Sequence, residues 1–166
     1  MRTKLLSLFA ASLLLAACES TSTTTAGSAG GGAAASTAPA AAPRTGPVPG
    51  SQQDLVVNVG DRVFFDLDKS DLKPEARRTL ERQAAWLKQY GNVAVTIEGH
   101  CDERGTREYN LALGDRRAKA ASNYLVSLGI PASRIKTISY GKERPAVLGS
   151  NEAAWSQNRR GVTVVN

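Results

Sequence analysis

Between Glu19 and Gln53 the chain runs for 35 residues with no large apolar side chain except Val48, and this stretch limits what can fold. It consists almost entirely of Ala, Gly, Ser, Thr and Pro. Such a segment cannot bury enough surface to offset the entropy of ordering it. The composition predicts a flexible tether over residues 18–53, stiffer near Pro39, Pro43, Pro47 and Pro49. Random-coil scaling gives it a mean span of roughly 30–35 Å. What remains for a hydrophobic core is residues 54–166, enough for one ordinary domain.

The residues ahead of the tether read as an export signal. Arg2 and Lys4 precede a 13-residue apolar run, Leu5 to Ala17, which closes on Leu15-Ala16-Ala17-Cys18. A basic start, a short apolar stretch and small residues before a cut point describe a cleaved secretory segment over residues 1–17. The run is too short to cross a bilayer as a helix, which takes about 20 residues. Leu-Ala-Ala-Cys resembles the bacterial lipobox, which implies a lipid on Cys18 and anchoring at a membrane. Two or more acyl chains hold a protein there stably, whereas one does so only marginally. Glu19, in place of aspartate after the cysteine, is an outer-membrane address under enteric-type sorting. Cys101 is then left without a disulfide partner and is expected to be a small, partly buried residue.

Strand and helix signals alternate through the remainder. Arg62 to Asp66 reads as a strand; Pro74 suits a first helical turn, followed by Ala76, Leu80, Ala84 and Leu87 at helical spacing up to Gly91-Asn92. Val93, Val95 and Ile97 alternate with Ala94, Thr96 and Glu98, which predicts a strand with one buried face. A second helix is expected from near Glu108 to Leu128, with Gly114, Ala118, Ala121, Leu125 and Leu128 on one stripe. Gly129, Ile130 and Pro131 supply its stop. Ile135 to Tyr140 predicts a strand, Asn151–Asn158 a polar turn or short helix, and Gly161 to Val165 a last strand. The expected fold is an α/β (α+β) two-layer sandwich, one sheet with helices packed on it.

Composition narrows the function. The net charge of +6 falls to +4 with loss of Arg2 and Lys4, and acidic and basic residues interleave from Asp61 to Arg160. No basic run exceeds two, which argues against nucleic acid as a partner. The single histidine, His100, excludes a histidine-rich zinc site. It neighbours Cys101, but adjacent residues at a strand end point in opposite directions, a poor arrangement for a Cys–His pair. No phosphate-loop pattern occurs around Gly99 or Gly105. The expectation is a protein that is not an enzyme and takes no metal or other cofactor.

The informative segment runs from Gly99 to Asn110, leaving one strand through a charged turn to enter a helix, with Arg116-Arg117-Ala118 six residues on. Asn110, Leu113 and Arg117 share a helix face beside the strand end that carries Asp102. An acid, an amide, an apolar contact and a guanidinium then surround one groove. Such a set suits a zwitterion, with Asp102 accepting from an ammonium and Arg117 forking onto a carboxylate. The alternative is a surface Asp102–Arg117 ion pair, for which stability alone gives little reason.

Asp102-x-x-Gly105-x-x-x-x-Asn110-x-x-Leu113-x-x-x-Arg117-Ala118 resembles the peptidoglycan-binding motif of the OmpA-like domain family. Glu98-Gly99-His100, Asp102 to Thr106, Ser139 to Glu143, Asn158-Arg159-Arg160 and Val63 to Asp68 resemble its peptidoglycan-associated lipoprotein (Pal) branch. The likeness extends from about Asp61 to Asn166. It implies non-covalent, metal-free binding of the cell wall through meso-diaminopimelate of the stem peptide. Asp102 and Arg117 would hold that side chain, Asn110 and Leu113 would line the pocket, and Leu67 and Asp68 would close it from the other side. It further implies membership of the Tol–Pal envelope system and a contact with the periplasmic Tol β-propeller, for which Glu103 and Arg104 are the candidates. The domain would face the periplasm, tether the outer membrane to the wall and help it follow the septum in division. A mainly adaptor role, with weak wall binding, is the alternative. Cys101 and Gly161 depart from the family's usual residues; the glycine is expected to weaken the last strand modestly.

Overall fold

The computed structural model describes residues 46–166. The expected signal segment, the lipid attachment at Cys18 and most of the tether lie outside the described residues. Folded structure reaches back to Ser51, three residues before Asp54, the expected start of the domain. Ser51 accepts from the Asp54 N–H at 3.2 Å and caps a short helix, α1 (Gln52–Asp54), which continues as a single π-type turn, Leu55–Val59. No periodicity announces this element. Its main apolar anchor is Leu55, fully buried, with Val59 packed partly buried against the core.

The other elements follow the expected order: β1 (Arg62–Phe64), α2 (Pro74–Gln89), β2 (Val95–His100), α3 (Arg107–Ser127), β3 (Ile135–Gly141), α4 (Glu152–Asn158) and β4 (Arg160–Val165). They form one mixed sheet, ordered β1-β4-β2-β3, packed against helices. β4 is antiparallel to both β1 and β2, whereas β2 and β3 are parallel and joined through α3. The expected sandwich is the observed one.

Two strand bounds shift for identifiable reasons. The second strand begins at Val95 rather than Val93. The Val93 N–H closes the turn after α2 onto Tyr90 O at 3.0 Å, and Val93 O accepts from Arg134 Nε at 2.8 Å. β1 ends at Phe64 rather than Asp66, although the Phe65 N–H still donates to Arg159 O at 2.9 Å. The stop of α3 is as expected: Gly129 takes φ +91°, and the Ile130 N–H returns to Leu125 O at 3.1 Å, a closure that leaves Ile130 buried.

The core lies between sheet and helices, with Leu80 and Leu87 of α2, Val95 and Ile97 of β2, and Ala118, Ala121 and Leu125 of α3 all buried. Where α3 crosses β2, two glycines meet. A Cβ on Gly99 would stand 1.8 Å from Gly114 O, and one on Gly114 would stand 2.3 Å from Ser139 Oγ. This contact sets the first half of α3 directly against the end of β2 and so brings the two walls of the site together.

Candidate functional site

The site lies where β2 ends. The chain leaves β2 through Cys101 and Asp102, turns, and enters α3 at Thr106, whose hydroxyl caps the helix by accepting from the Tyr109 N–H at 3.2 Å. The loop between β1 and α2 forms the facing wall. Together they enclose a small pocket bounded by Asp102, Asn110, Leu113 and Arg117 on one side and by Leu67 and Asp68 on the other. All six residues expected at the site are brought to it. Cys101, Arg104 and Tyr109 complete the lining.

Arg117 departs from its expected role. Its side chain is fully buried. Nε donates to Lys69 O at 2.8 Å, Nη2 to Asp66 O at 3.0 Å, and Nη1 to His100 O at 2.8 Å and to Cys101 Sγ at 3.4 Å. These bonds use four of the five N–H groups a guanidinium carries. The expected two-bond fork onto a ligand carboxylate is therefore not available in this arrangement. Arg117 instead ties the β1–α2 loop to the end of β2, with its guanidinium carbon 5.2 Å from the Phe65 ring centroid. Burial pulls its pKa below the usual arginine range.

Asp102 forms no ion pair with Arg117, so the surface-pair alternative does not hold either. Its carboxylate accepts from Arg104 Nη2 at 2.7 Å and from the Arg104 backbone N–H at 3.1 Å, and on its inner side from Arg159 Nη1 at 3.3 Å. Burial works to raise its pKa, but the bonds from Arg104 and Arg159 outweigh that and leave it below the usual carboxylate range. Asp102 is thus an ionised carboxylate in a nearly closed setting, and it is matched by two cations of different freedom. Arg159 is buried and also reaches Glu152. Arg104 is about one-third exposed at the mouth and lies flat over Trp155, 4.0 Å from the ring centroid.

The charged turn is therefore divided. Glu103 is exposed and accepts from Trp155 Nε1 at 3.0 Å, in keeping with a surface contact. Arg104 belongs to the pocket. Asn110 is buried and acts as a brace, donating from Nδ2 to Arg104 O at 2.7 Å and to Thr106 O at 3.0 Å. Leu113 supplies the apolar floor. Cys101 is more fully buried than expected, with its thiol set between Asn110 O and Arg117 and its pKa raised by burial. The neighbouring His100 makes no pair with it: among the described residues both its ring nitrogens are buried without a hydrogen-bond partner.

Two further residues of this site come from different places, and only the first was beyond the reach of spacing. Arg159 comes from the C-terminal end of the chain and arrives only because β4 inserts between β1 and β2. Tyr109 sits in the first turn of α3, and its phenol donates to Asp68 across the pocket. Helix spacing could have found it, because positions 109 and 113 are i and i+4 and lie side by side on the face that carries Leu113. Chemically, the pocket offers one ionised carboxylate, a second carboxylate at the rim and a partly exposed guanidinium beside a mostly committed one. That set fits a small group carrying both charges.

The OmpA family matches the chain over residues 64–159. The peptidoglycan-associated lipoprotein of Agrobacterium fabrum is 62% identical over 117 residues, covering 70% of this chain and 66% of that protein, just under two thirds. The protein of the same name from Brucella melitensis is 59% identical over 118 residues, covering 71% and 70%. The crystal structure of the peptidoglycan-associated lipoprotein from Burkholderia pseudomallei superposes with a TM-score of 0.62 at 40% identity, over 64% of this chain and 90% of that one. The C-terminal domain of Helicobacter pylori MotB, at 18% identity and a TM-score of 0.60 over 64% of this chain and 84% of that one, shares the fold.

Proposed function

The chain belongs to the OmpA family and, within it, to the peptidoglycan-associated lipoproteins, and on that premise we propose that its pocket holds the meso-diaminopimelate side chain of the cell-wall stem peptide. The observation that carries this reading is the near-buried, ionised Asp102 in a pocket that also presents guanidinium groups. The free end of diaminopimelate bears one ammonium and one carboxylate. The ammonium takes the outer face of Asp102 that Arg104 now covers, with Asp68 at the rim. The carboxylate meets the released Arg104 and the one uncommitted N–H of Arg117. Charge-assisted bonds of this kind are about twice as strong as neutral ones, and binding needs neither a covalent bond to the wall nor catalysis.

In the wider proposal, lipid on Cys18 holds the protein at the outer membrane, the tether spans the gap, and the domain grips the wall from the periplasm. The protein then acts in the Tol–Pal system and helps the outer membrane follow the septum. Exposed Glu103 contacts the Tol propeller, while Arg104, shared with the pocket, makes propeller and wall compete.

Cosedimentation of the full chain with purified sacculi tests the pocket. Diaminopimelate-type sacculi are expected to pellet it, and lysine-type sacculi, whose side chain keeps the ammonium and lacks the carboxylate, at least about tenfold less well. Asp102→Asn is expected to lose most binding. Changing the ligand is the cleaner arm, because Asp102 and Arg117 also hold the pocket walls. Equal retention on both wall types would overturn the zwitterion reading. No retention on either would favour the adaptor role, with the propeller as the partner to test.

A further inference from the structure

The pocket as it stands is too small for the group proposed to enter it. Its free volume is about 40 Å³, room for on the order of three water molecules. The charged end of diaminopimelate carries a carbon, an ammonium and a three-atom carboxylate. The mouth must therefore widen, and the structure shows what keeps it narrow.

The β1–α2 loop is held in two ways. Arg117 bonds the two carbonyls that flank its tip, Asp66 O and Lys69 O, and the Lys69 N–H closes the tip as a turn onto Asp66 O at 3.2 Å. Among the described residues, the only bond from this tip to the opposite wall runs from the Tyr109 phenol to the Asp68 carboxylate. Leu67 and Asp68 are otherwise exposed. Asp68 is also the one non-glycine among the described residues with a positive φ, +57°, the left-handed conformation that aspartate tolerates better than most residues and that suits the third position of a tight turn. Arg117 thus fixes the two carbonyls that flank the turn, while the turn itself meets the opposite wall through one phenol.

We infer that Tyr109 is the gating residue of this site: its hydroxyl latches Asp68 across the mouth, and the entering ammonium replaces it there. The inference rests on the reading of the pocket given above. The latch is absent once ligand is in place, so it lowers only the fraction of molecules able to bind. Apparent affinity scales with that fraction. Tyr109→Phe keeps the ring, which lines the wall, and removes the bond.

The experiment measures association and dissociation rates of a soluble diaminopimelate-containing stem tripeptide on the full chain in detergent. Tyr109→Phe is expected to raise the association rate roughly three- to tenfold and leave dissociation within about a factor of two. A residue that merely supported the fold would slow association or speed dissociation. Without ligand, amide exchange at Lys69 is expected to rise several-fold in the variant. Slower or unchanged association, or unchanged exchange, would overturn the latch. If the tripeptide bound neither protein, the reading of the pocket would fall and the gating role with it, whereas a faster Lys69 exchange would still report a tip released by loss of the phenol.

Discussion

His100 shows how far a single residue's position decides its chemistry. It is almost fully buried, with both ring nitrogens unpartnered, Glu98 Oε2 3.5 Å away and Tyr140 packed at a ring separation of 5.6 Å. Burial first, then the nearby Arg160 and Arg144, bring its pKa down from 6.5 to about 4. The fold therefore favours the neutral ring. Between pH 6.5 and 4 the unfolded chain binds a proton that the folded chain refuses, so stability rises with pH across that window and falls as the solution is acidified. Going from pH 7 to 4.5 is expected to cost about 2–3 kcal/mol from this group alone. Denaturant titrations at the two pH values check it, with His100→Phe expected to remove most of the difference. At this scale the sequence was informative about which residues meet and less so about what each does. The spacing of Asp102, Asn110, Leu113 and Arg117 pointed to one groove, and in the structure the four line one small pocket. That Arg117 spends four N–H groups on the protein itself depended on where two carbonyls of a distant loop would lie, which no local pattern encodes.

Helix phase and strand alternation are local properties, and so the elements were legible where burial repeats regularly. They were not legible where isolated contacts without a period hold the piece, as with Leu55, Gln52 and Asp54 in the segment before β1. The crossing of α3 over β2 lies between these cases. Gly114 was visible on the buried stripe of α3, but its partner, Gly99, looked like a turn residue. The two positions should respond differently to a methyl group. On Gly99 the new carbon meets a helix carbonyl that cannot move without shifting α3, so Gly99→Ala is expected to cost about 3 kcal/mol, the upper end of ordinary overpacking. On Gly114 the nearest atom is the Ser139 hydroxyl, which gives up its 2.7 Å bond to Leu111 O and rotates, leaving the milder approach of 2.9 Å to Gly99 O to be taken up by a small backbone shift. There the gain in helix propensity, about 1 kcal/mol, offsets part of the cost. Urea unfolding of the two variants should therefore rank Gly99→Ala well below Gly114→Ala. A reversed order would mean that the helix, rather than the strand end, is the part that yields.

Across the whole molecule, the site and the point where the chain enters the fold lie at opposite ends of the sheet. The pocket sits beyond His100, where β2 finishes. The entering segment docks at the other end, where Val95 of β2 pairs with Val165 of β4. Gln52 accepts there from the Val165 N–H at 2.7 Å and donates to Thr163 O at 3.3 Å. Two residues on, the Asp54 carboxylate gathers the Gly50 N–H at 2.8 Å, Trp86 Nε1 at 2.9 Å and Asn58 Nδ2 at 2.7 Å. If a tether pulls on Gly50 while the pocket holds a wall, the load runs the length of the sheet, and this docked turn meets it first. The family match begins only at residue 64, yet these bonds make the preceding turn part of the fold. A chain trimmed to residues 61–166 loses the buried Leu55 and leaves the Trp86 indole N–H without its acceptor. Each loss is worth about 1–3 kcal/mol or more, so melting is expected to fall by about 10–20 °C. Stem-peptide affinity should be unchanged at temperatures where both forms are folded, because the pocket is at the far end. Melting within a few degrees of the full chain would make the turn an appendage rather than the anchor of the tether. A drop in affinity without a drop in melting temperature would mean that the two ends of the sheet are coupled.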